Sequence, residues 1–581
     1  MRSGIKTCIL ALLVVATVFS VQASAGWKPQ VVMGPGTGPA HVEEPYYQDW
    51  HRTLSADTLY ILTGFYYVDS TYSITIEPGT VVMGDTAATL VVQRGAEIHA
   101  RGTADRPIVF TSMKDPGERE TGNWGGVIIL GEAPVNRVNP VIEGGLLDGY
   151  FGGNDPDDDS GEFYYCRIEW PGHRIVEGNE VNGLTMGGVG RGTEIHHVQV
   201  SYSNDDSYEW FGGNQGNQDD RAGDNGNYLV VLGGLDDVFD CDYGHSGGHQ
   251  FGFCLRDPLY SDLEGTANGW ECDSYKPSGE TPPITDPTFA NCTIVGPMRT
   301  NAHVDSLPPV NAFGYSGLVR RAARTSVYNS VIMGFPYGMS IRDIECHNAA
   351  TANELNFHYM SLQATDTPDT VTSVHDVSEW AGVTNWWNTE PGNVASHSLP
   401  RMPDDIGLTD MSDLNDPDPR PLPTSELVTT PAVWTDSEVS GAKWEHTTYR
   451  GAFAPGGRSL QWMEGWTNFD PQWTDYDPEV VGVDEAIVEG RSLSQNYPNP
   501  FNPVTKIAYS IRQAGPVTIK VVNAAGKVVR TLLDTELDAG ANGVVTWDGT
   551  DEAGQNCASG VYFYKIEAPQ GSETHKMVLM K

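Results

Sequence analysis

The chain contains 581 residues, which is enough for several domains with large apolar cores. Hydrophobic residues make up 39% and charged residues 19% of it, and its 65 glycines and 37 prolines indicate many turns, as is typical of an all-β protein. There are 35 Lys and Arg side chains against 76 Asp and Glu side chains, for a formal net charge of −41. This excess of negative charge disfavours binding to nucleic acid or to an anionic membrane surface and favours cations as partners.

The N-terminus has the pattern of a secretory signal peptide. Arg2 and Lys6 precede an apolar run at residues 8–18, and the small residues 23–25 supply a cleavage position. The apolar run is shorter than the roughly 20 residues that cross a bilayer, and no later segment is long enough, so we predict no transmembrane segment. We expect residues 1–25 to be removed and the mature chain to enter an oxidising compartment.

Short β-rich runs separated by turn residues fill residues 62–400, without a long amphipathic helix. The runs superimpose at steps of 16, 31 and 38 residues, and the step of 31 aligns segments 203–213, 234–244 and 265–275. Strands that cannot bury a core alone must stack on their neighbours. The sequence therefore predicts a right-handed parallel β-helix, a pectate-lyase-like solenoid, preceded by an N-terminal segment or cap at residues 26–61. A β-sandwich array or a propeller is the alternative.

The 31-residue alignment places carboxylates in columns. Tyr208, Phe239 and Trp270 share one column, and if this aromatic stack faces the core, the alternating side chains face outward. Neighbouring coils lie about 4.8 Å apart, so the outward carboxylates would form a closely spaced ladder. A second acidic column begins at Asp205 and Asp206. The candidate metal-ligating residues of these columns are Glu209, Asp236, Asp237, Asp240, Asp242, Glu271 and Asp273.

Three interpretations of this ladder remain open, because like charges at such a spacing repel each other unless a cation, a hydrogen-bond donor or a proton intervenes. A hard cation with six to eight oxygen ligands, most plausibly calcium, is the first. The second is a carboxylate pair for glycoside cleavage, which requires a separation of roughly 5–9.5 Å. The third is structural, with carboxylates accepting hydrogen bonds from turns. The acid-rich loop 155–162 has part of the spacing of a calcium loop, but a solvated loop explains it more simply.

Two pairs of cysteines are candidates for disulfides. Cys241 aligns with Cys272 at the step of 31, and Cys254 aligns with Cys292 at the step of 38. The spacing of neighbouring coils lies within the range of Cα separations that a disulfide accepts. Either a disulfide or two stacked buried thiols would therefore fit each pair.

The chain changes character after residue 400. Residues 401–491 are rich in Asp, Pro and Trp and predict a linker followed by an aromatic segment that caps the last coils. Short alternating strands over residues 492–581 predict a small Ig-like β-sandwich. The runs YPNPFNPVTKIAYSI, WDGTDEAGQ, SGVYFYKI and KMVLMK resemble the C-terminal sorting domain of type IX secretion cargo, which is similar to the Ig-like domain of the flagellar hook-capping protein. This resemblance implies that residues 492–581 engage the secretion machinery of an outer membrane.

The central motifs GNWGGVIILGEAPVN, NEVNGLTMGGVGRGT and GLDDVFDCDYGHSGGHQFGFCLRDP resemble a family of secreted β-helix surface proteins of unknown activity that carry such tails. The resemblance implies an extracellular or surface-displayed protein and brings no established catalytic residues. We therefore predict a non-catalytic binding, structural or adhesion protein whose ligand is a polysaccharide or a surface protein. The alternative is a calcium-assisted polysaccharide lyase or glycoside hydrolase at the ladder, with Arg256 and Lys276 as candidate base or substrate clamp.

Overall fold

The structure is a computed structural model of the chain. The described residues are 29–35, 45–143, 146, 148–176, 179–216, 225–261, 267–274, 280–297, 313–364, 382–395, 406–411, 413–457, 461–476, 501, 503–510, 514–523, 526–537, 542–569 and 571–579. The predicted signal peptide lies outside them. A search of the described part finds no helix that combines the length and the apolar character needed to cross a membrane.

Parallel strands form three stacks in the first four hundred residues. Sheet 1 has 15 strands among the described residues: β1 (Gln30–Met33), β3 (Arg52–Leu54), β4 (Leu59–Leu62), β6 (Ser73–Ile76), β7 (Val81–Gly84), β9 (Glu97–Arg101), β10 (Ile108–Ser112), β12 (Gly161–Glu169), β16 (Glu194–Ser201), β18 (Leu229–Leu232), β21 (Phe253–Leu255), β24 (Thr293–Val295), β27 (Val331–Phe335), β30 (Ser361–Ala364) and β31 (Val394–Ala395).

Sheet 2 has ten strands in the same part of the chain: β2 (Pro45–Gln48), β5 (Phe65–Val68), β8 (Thr89–Val92), β11 (Gly126–Leu130), β15 (Leu184–Gly187), β17 (Tyr208–Phe211), β19 (Phe239–Asp242), β22 (Trp270–Cys272), β25 (Tyr315–Val319) and β28 (Tyr337–Ile341). Sheet 3 has four described strands: β20 (Gly248–Gln250), β23 (Thr288–Ala290), β26 (Ser326–Tyr328) and β29 (Phe357–His358).

Two short hairpins and three helices complete the elements of this part. The hairpins pair β13 (Arg174–Val176) with β14 (Asn179–Glu180) and β32 (Leu408–Asp410) with β33 (Asp418–Pro421), and the helices are α1 (Ile344–Thr351), α2 (Val383–Thr389) and α3 (Glu426–Thr429). The chain passes from one stack to the next and returns one coil further on, as expected for a parallel β-helix, so the predicted fold class is confirmed.

The strand register tests the predicted repeats. Tyr208 lies opposite Phe239, which lies opposite Trp270, so the 31-residue alignment is confirmed. The step of 16 does not relate neighbouring strands, because Ile74 pairs with Ile98, 24 residues later. Similar strand and turn patterns recur on different faces of one coil, and the step of 16 reflects that recurrence. All three aromatic rings lie in the apolar core that fills the interior of the coils.

The coils begin before residue 62. Strand β1 already pairs in parallel with β4, and β2 pairs with β5. The sequence analysis placed a cap in this region because β1 to β3 are three or four residues long and half-exposed, so they lack the continuous apolar pattern of a buried parallel strand.

Residues 406–476, described except for 412 and 458–460, form a strap that covers the outer face of sheet 1. Val230 and Leu232 alternate with the core residue Val231 and therefore face outward, where they join an apolar cluster with Phe453 and Trp466 of the strap. Three amide side chains of the coils also exchange two hydrogen bonds each with the strap backbone. These pairs are Gln199 with Asn468, Gln250 with Glu445 and Asn329 with Val433, at 2.7–2.9 Å.

The strap runs along the flank of the β-helix, whereas the sequence analysis expected it to cap the last coils. The physical reason is that the outer face of sheet 1 is apolar and must be covered, and an outward apolar residue in a fully buried strand looks like a core residue in the sequence. The strap therefore acts as a second wall of the same domain rather than as a linker.

The C-terminal unit has two antiparallel sheets around its own core, as the Ig-like prediction requires. One sheet pairs β34 with β37, and the other has the order β36-β35-β38-β39. The strands are β34 (Thr505–Ser510), β35 (Gly515–Asn523), β36 (Val528–Leu537), β37 (Asn542–Trp547), β38 (Gly560–Ala568) and β39 (Gly571–Leu579). The buried Trp547 lies in this core and donates a hydrogen bond to the Thr550 carbonyl at 2.8 Å.

Candidate metal centre

The carboxylate ladder is located on the outer side of sheet 2. Glu209 lies opposite Asp240, which lies opposite Glu271, on β17, β19 and β22. Since side chains alternate along a strand and the aromatic column faces the core, these carboxylates face away from the core. They are nevertheless shielded from solvent: Glu209 is 5% exposed, and Asp240 and Glu271 are only partly exposed.

A loop between β11 and β12 explains this shielding. Asn136 of the loop donates to the Ser274 carbonyl at 2.6 Å, and the Arg137 guanidinium lies 4.4 Å from the centre of the Tyr243 ring. The loop thus crosses the outer face of sheet 2 beside the acidic residues. The ladder faces outward from the coils, as predicted, but it lies beneath a loop rather than at an open surface.

Two overlapping groups of carboxylates lie close enough to share a metal ion. In one group, oxygen atoms of Asp206, Glu209 and Asp240 lie within 4.8 Å of one another, and in the other those of Asp205, Asp206 and Asp236 do. Asp206 belongs to both groups. These acidic clusters could hold a metal ion, because hard cations are bound by carboxylate oxygens contributed from neighbouring turns.

The electrostatics of the first group are unfavourable without a counter-charge. Burial raises the pKa values of Asp206, Glu209 and Asp240 well above their ordinary range, and neighbouring carboxylates raise them further. Each carboxyl is buried among others of the same charge, so the ionised forms destabilise one another. A bound cation or a proton would relieve this repulsion.

Neutral oxygens complete the lining of the first group. Asn182 donates through its amide nitrogen to Glu209, and Thr185 lies opposite Glu209 in the register of β15 and β17. Asn182 is 1% exposed and Thr185 is 2% exposed, and neither Asn182 Oδ1 nor Thr185 Oγ1 has a hydrogen-bond partner among the described residues. The same holds for Asp240 Oδ1. Buried oxygens are normally paired, and amide, hydroxyl and carboxylate oxygens are all ligands for a hard cation.

The second acidic column links successive coils by hydrogen bonds. Asp206 Oδ1 accepts from the Asp237 backbone N–H at 2.8 Å, and Asp237 Oδ1 accepts from the Asn268 N–H at 2.5 Å. Asn268 Oδ1 in turn accepts from the Tyr315 N–H at 2.8 Å. The structural interpretation therefore applies to Asp237, whereas Asp206 serves both the hydrogen-bond series and the carboxylate group.

Arginines neutralise the far end of the ladder. Arg320 contacts Glu271 and donates to Asp273 Oδ1 at 2.7 Å, and Arg321 contacts the other oxygen of Asp273. Asp242 accepts from the backbone N–H of the next residue at 2.6 Å. Burial and the nearby Asp273 charge raise the pKa of Asp242 to about 8. These three candidate ligands thus have surroundings different from those of Glu209 and Asp240.

The structure therefore divides the sequence-derived candidates. It places Glu209, Asp236 and Asp240 in the two groups with Asp205 and Asp206. It places Asp237, Asp242, Glu271 and Asp273 outside both groups.

Four residues of the site were missed by sequence analysis. Asn182 and Thr185 escaped because Thr185 precedes Glu209 by 24 residues, not 31. Arg320 and Arg321 escaped because the next coil is long: Glu271 lies opposite Leu318, 47 residues later. A repeat search with variable coil lengths was the only sequence signal for them.

The acid-rich loop 155–162 has structural partners. Asp158 accepts hydrogen bonds from the backbone N–H groups of Glu132 and Gly190 at 2.8 and 3.1 Å, and Asp157 pairs with Arg191. These contacts tie the loop to the turns beside it.

All seven described cysteines are thiols. Cys241 lies opposite Cys272, so of the two alternatives for this pair the structure shows stacked buried thiols. The predicted alignment of Cys254 with Cys292 is wrong. Cys254 lies opposite Ile294, because this coil advances by 40 residues, whereas the 38-residue step holds for the next coil.

Comparisons with known proteins agree with the two-part architecture. Residues 46–400 match the pectate-lyase like beta helix domain family, and residues 505–572 match the FlgD Ig-like domain family. No curated protein sequence matches the chain.

Two solved structures from Porphyromonas gingivalis are similar over short segments. Dimeric latent PorU is 20% identical with a TM-score of 0.13, over 15% of this chain and 9% of that one. PorZ, described as an essential surface component of the type-IX secretion system, is 24% identical with a TM-score of 0.12, over 15% of this chain and 11% of that one. The chain thus spans about a tenth of the length of these two structures.

Proposed function

The chain belongs to the pectate-lyase-like β-helix family, and from that premise we propose that it is a non-catalytic, calcium-binding surface protein whose Ig-like tail directs its export. The observation that carries the calcium site is the group of buried carboxylates formed by Asp206, Glu209 and Asp240. These residues come from two successive coils, so a shared ion would join the coils and stabilise the stack.

The donor set favours calcium over other common metals. Carboxylate, amide and hydroxyl oxygens surround the group, which suits a hard cation that takes six to eight oxygen ligands. Asn182 Oδ1 and Thr185 Oγ1 would add neutral ligands to the three carboxylates. Magnesium retains several waters in a strict octahedron and is less suited to a site crowded with protein oxygens. Zinc and copper prefer histidine or thiolate ligands.

The enzyme alternative loses the base that the sequence offered. Arg256 is fully buried, and its guanidinium donates to the backbone carbonyls of Gly234, Asp236 and Asn268. An arginine held by three carbonyls braces the turns and has no free donor face for a substrate. Lys276 lies outside the described residues. We therefore assign the outer face of the coils to binding, with a polysaccharide or a surface protein as the ligand class, since a solenoid offers an extended surface for such partners.

Export is the second half of the proposal. The match of residues 505–572 to the FlgD Ig-like domain supports a tail of the type that resembles type IX sorting domains. Together with the signal-peptide pattern of residues 1–25, it supports passage through the inner membrane followed by transfer through the secretion machinery of the outer membrane. The expected location is extracellular or on the outer cell surface.

Calorimetric titration of calcium chloride into the purified full chain tests the metal site. We expect saturable binding by the wild-type chain and loss of binding in Asp240→Asn, which removes one charge from the group. Asp242→Asn is the matched control, since Asp242 is on the same strand but outside both carboxylate groups, and it should bind as the wild type does. Absence of binding in the wild type, or equal binding in Asp240→Asn, would contradict the proposal.

A further inference from the structure

We infer that Arg320 and Arg321 act as fixed cations in the ladder and confine calcium to the end formed by Asp206, Glu209 and Asp240. The inference rests on the proposed function and adds what determines the number of ions bound. It makes Arg320 a residue that sets the capacity of the site, although it lies outside the ion's own ligands.

The arginines occupy the position where the ladder would continue. Leu318 of β25 lies opposite Glu271, and Arg320 follows two residues later, just past the end of that strand. From there Arg320 spans both acids of the previous coil, with Nη2 contacting Glu271 Oε1 and Nε donating to Asp273 Oδ1 at 2.7 Å. Arg321 contacts Asp273 Oδ2. The coil after β22 thus supplies guanidinium groups where the two preceding coils supplied carboxylates.

The two ends of the ladder consequently differ in charge balance. At Asp206 and Glu209, the charged neighbours that act on the pKa are carboxylates, all of which raise it. At Glu271, burial and Asp273 raise the pKa, but the charges of Arg320 and Arg321 oppose them. A cation entering the first end meets uncompensated acids, whereas at the second end it would have to displace a buried, hydrogen-bonded arginine.

Removal of the arginine charges should therefore open a second site. Asp240 lies directly opposite Glu271, and Asp273 follows on the same coil, so these three carboxylates would be left without their counter-charges. They would then resemble the group formed by Asp206, Glu209 and Asp240, in which like charges from two coils face one another. The expected consequence is an additional calcium ion.

The test is calorimetric titration of calcium chloride into the full chain as wild type, as Arg320→Gln and Arg321→Gln combined, and as Arg324→Gln. Arg324 is the matched control, because it pairs with Glu280 and Glu354 instead of the ladder. We expect the wild type and Arg324→Gln to bind the same number of ions and the double variant to bind one more. Unchanged stoichiometry in the double variant would overturn the inference while leaving the proposed function intact.

Melting curves address the case in which the double variant is poorly folded. If calcium can replace the lost arginines, the double variant should melt earlier than the wild type in chelator and recover most of the difference in calcium chloride. A loss that calcium does not reverse would overturn the inference. A wild-type chain that binds no calcium would overturn the proposed function; calcium binding gained only in the double variant would still support the arginine role, and no binding in either would end both.

Discussion

Glu209 and Asp240 face each other on neighbouring coils, and each contributes an oxygen to a group in which all oxygens lie within 4.8 Å of one another. Replacement of Glu209 by Gln removes one charge from this group at nearly constant shape. We expect Glu209→Gln to stabilise the chain in chelator, by up to about 1 kcal/mol, because the repulsion between facing carboxylates is relieved. In calcium the same variant should gain less stability than the wild type does, since it has lost a ligand.

Differential scanning calorimetry in chelator and in calcium chloride measures both effects. Glu162→Gln provides the contrast, because Glu162 is paired with His99 and Arg101 and its charge is already compensated. That variant should lose stability in both buffers. If Glu209→Gln behaved in the same way, Glu209 would be a compensated structural residue and the repulsion argument would be wrong.

Asn291 connects the coils to the strap and yields a prediction about stability. Its amide nitrogen donates three hydrogen bonds of 3.1 Å to residues 447–451, and its backbone has a φ of +50°. Asn291→Ala removes the donor and places a residue with a Cβ in the left-handed region, so we expect it to cost about 2–4 kcal/mol in urea unfolding. Asn291→Gly loses the same hydrogen bonds but tolerates the backbone, and it should cost about 1 kcal/mol less. Equal losses in the two variants would show that backbone conformation contributes nothing here.

The aligned coils show how far the sequence could predict this fold. Tyr208, Phe239 and Trp270 could be superimposed because the coils between them have equal length, and equal length lets a fixed step find both the core column and the carboxylate column beside it. Register then followed from the two-residue alternation of a strand. Where a coil changes length, as between Cys254 and Ile294, the fixed step fails and the pairing with it.

The covering of the site could not be predicted for a different reason. Loop residues such as Asn136 and Arg137 reach the ladder from more than a hundred positions away, and the arginine that ends the ladder comes after a long coil insertion. Nothing in their local pattern marks them, because their role depends on which chain segments meet in space. The sequence could therefore indicate a row of acids but not that it is buried at one end and neutralised at the other.

His358 links the last coils to the strap and makes stability depend on pH. Its ring nitrogens contact Asp436 Oδ2 at 2.7 Å and Glu390 Oε2 at 2.5 Å. Burial lowers the pKa of His358, but the hydrogen bonds and charges of Glu390 and Asp436 outweigh burial, so its pKa lies above the ordinary value. A raised folded-state pKa means that this stabilisation is fully present below the unfolded-state value of about 6.5 and is lost as pH rises through the folded-state value.

A double-mutant cycle of His358→Gln and Glu390→Gln, measured by urea unfolding from about pH 6 to about pH 9, isolates the pair. We expect a favourable coupling energy at the lower pH that falls toward zero at the higher pH, because only protonated His358 attracts the carboxylate. A coupling energy that stays constant over the range would mean that the contact is a neutral hydrogen bond and that the strap is held without a charge on His358.

Deletion of residues 492–581 separates the binding proposal from the export proposal. The cores of the β-helix and strap are built from residues between 33 and 466, whereas the core of the Ig-like unit is built from residues between 501 and 579. Because the cores share no residue, the truncated chain should keep the melting transition and the calcium binding of the β-helix. It should also remain in the periplasm, as judged by protection from protease added to intact cells.

Trp547→Ala in the full chain serves as a control for the fold of the tail, as opposed to its mere presence. Trp547 is fully buried, and its truncation should cost about 3–5 kcal/mol, enough to unfold a small sandwich while the β-helix stays intact. If the folded sandwich is what the export machinery recognises, this variant should be retained like the deletion. Normal display of the deletion variant would refute the sorting role of the tail, whereas display of Trp547→Ala alone would assign the signal to a linear segment of the tail.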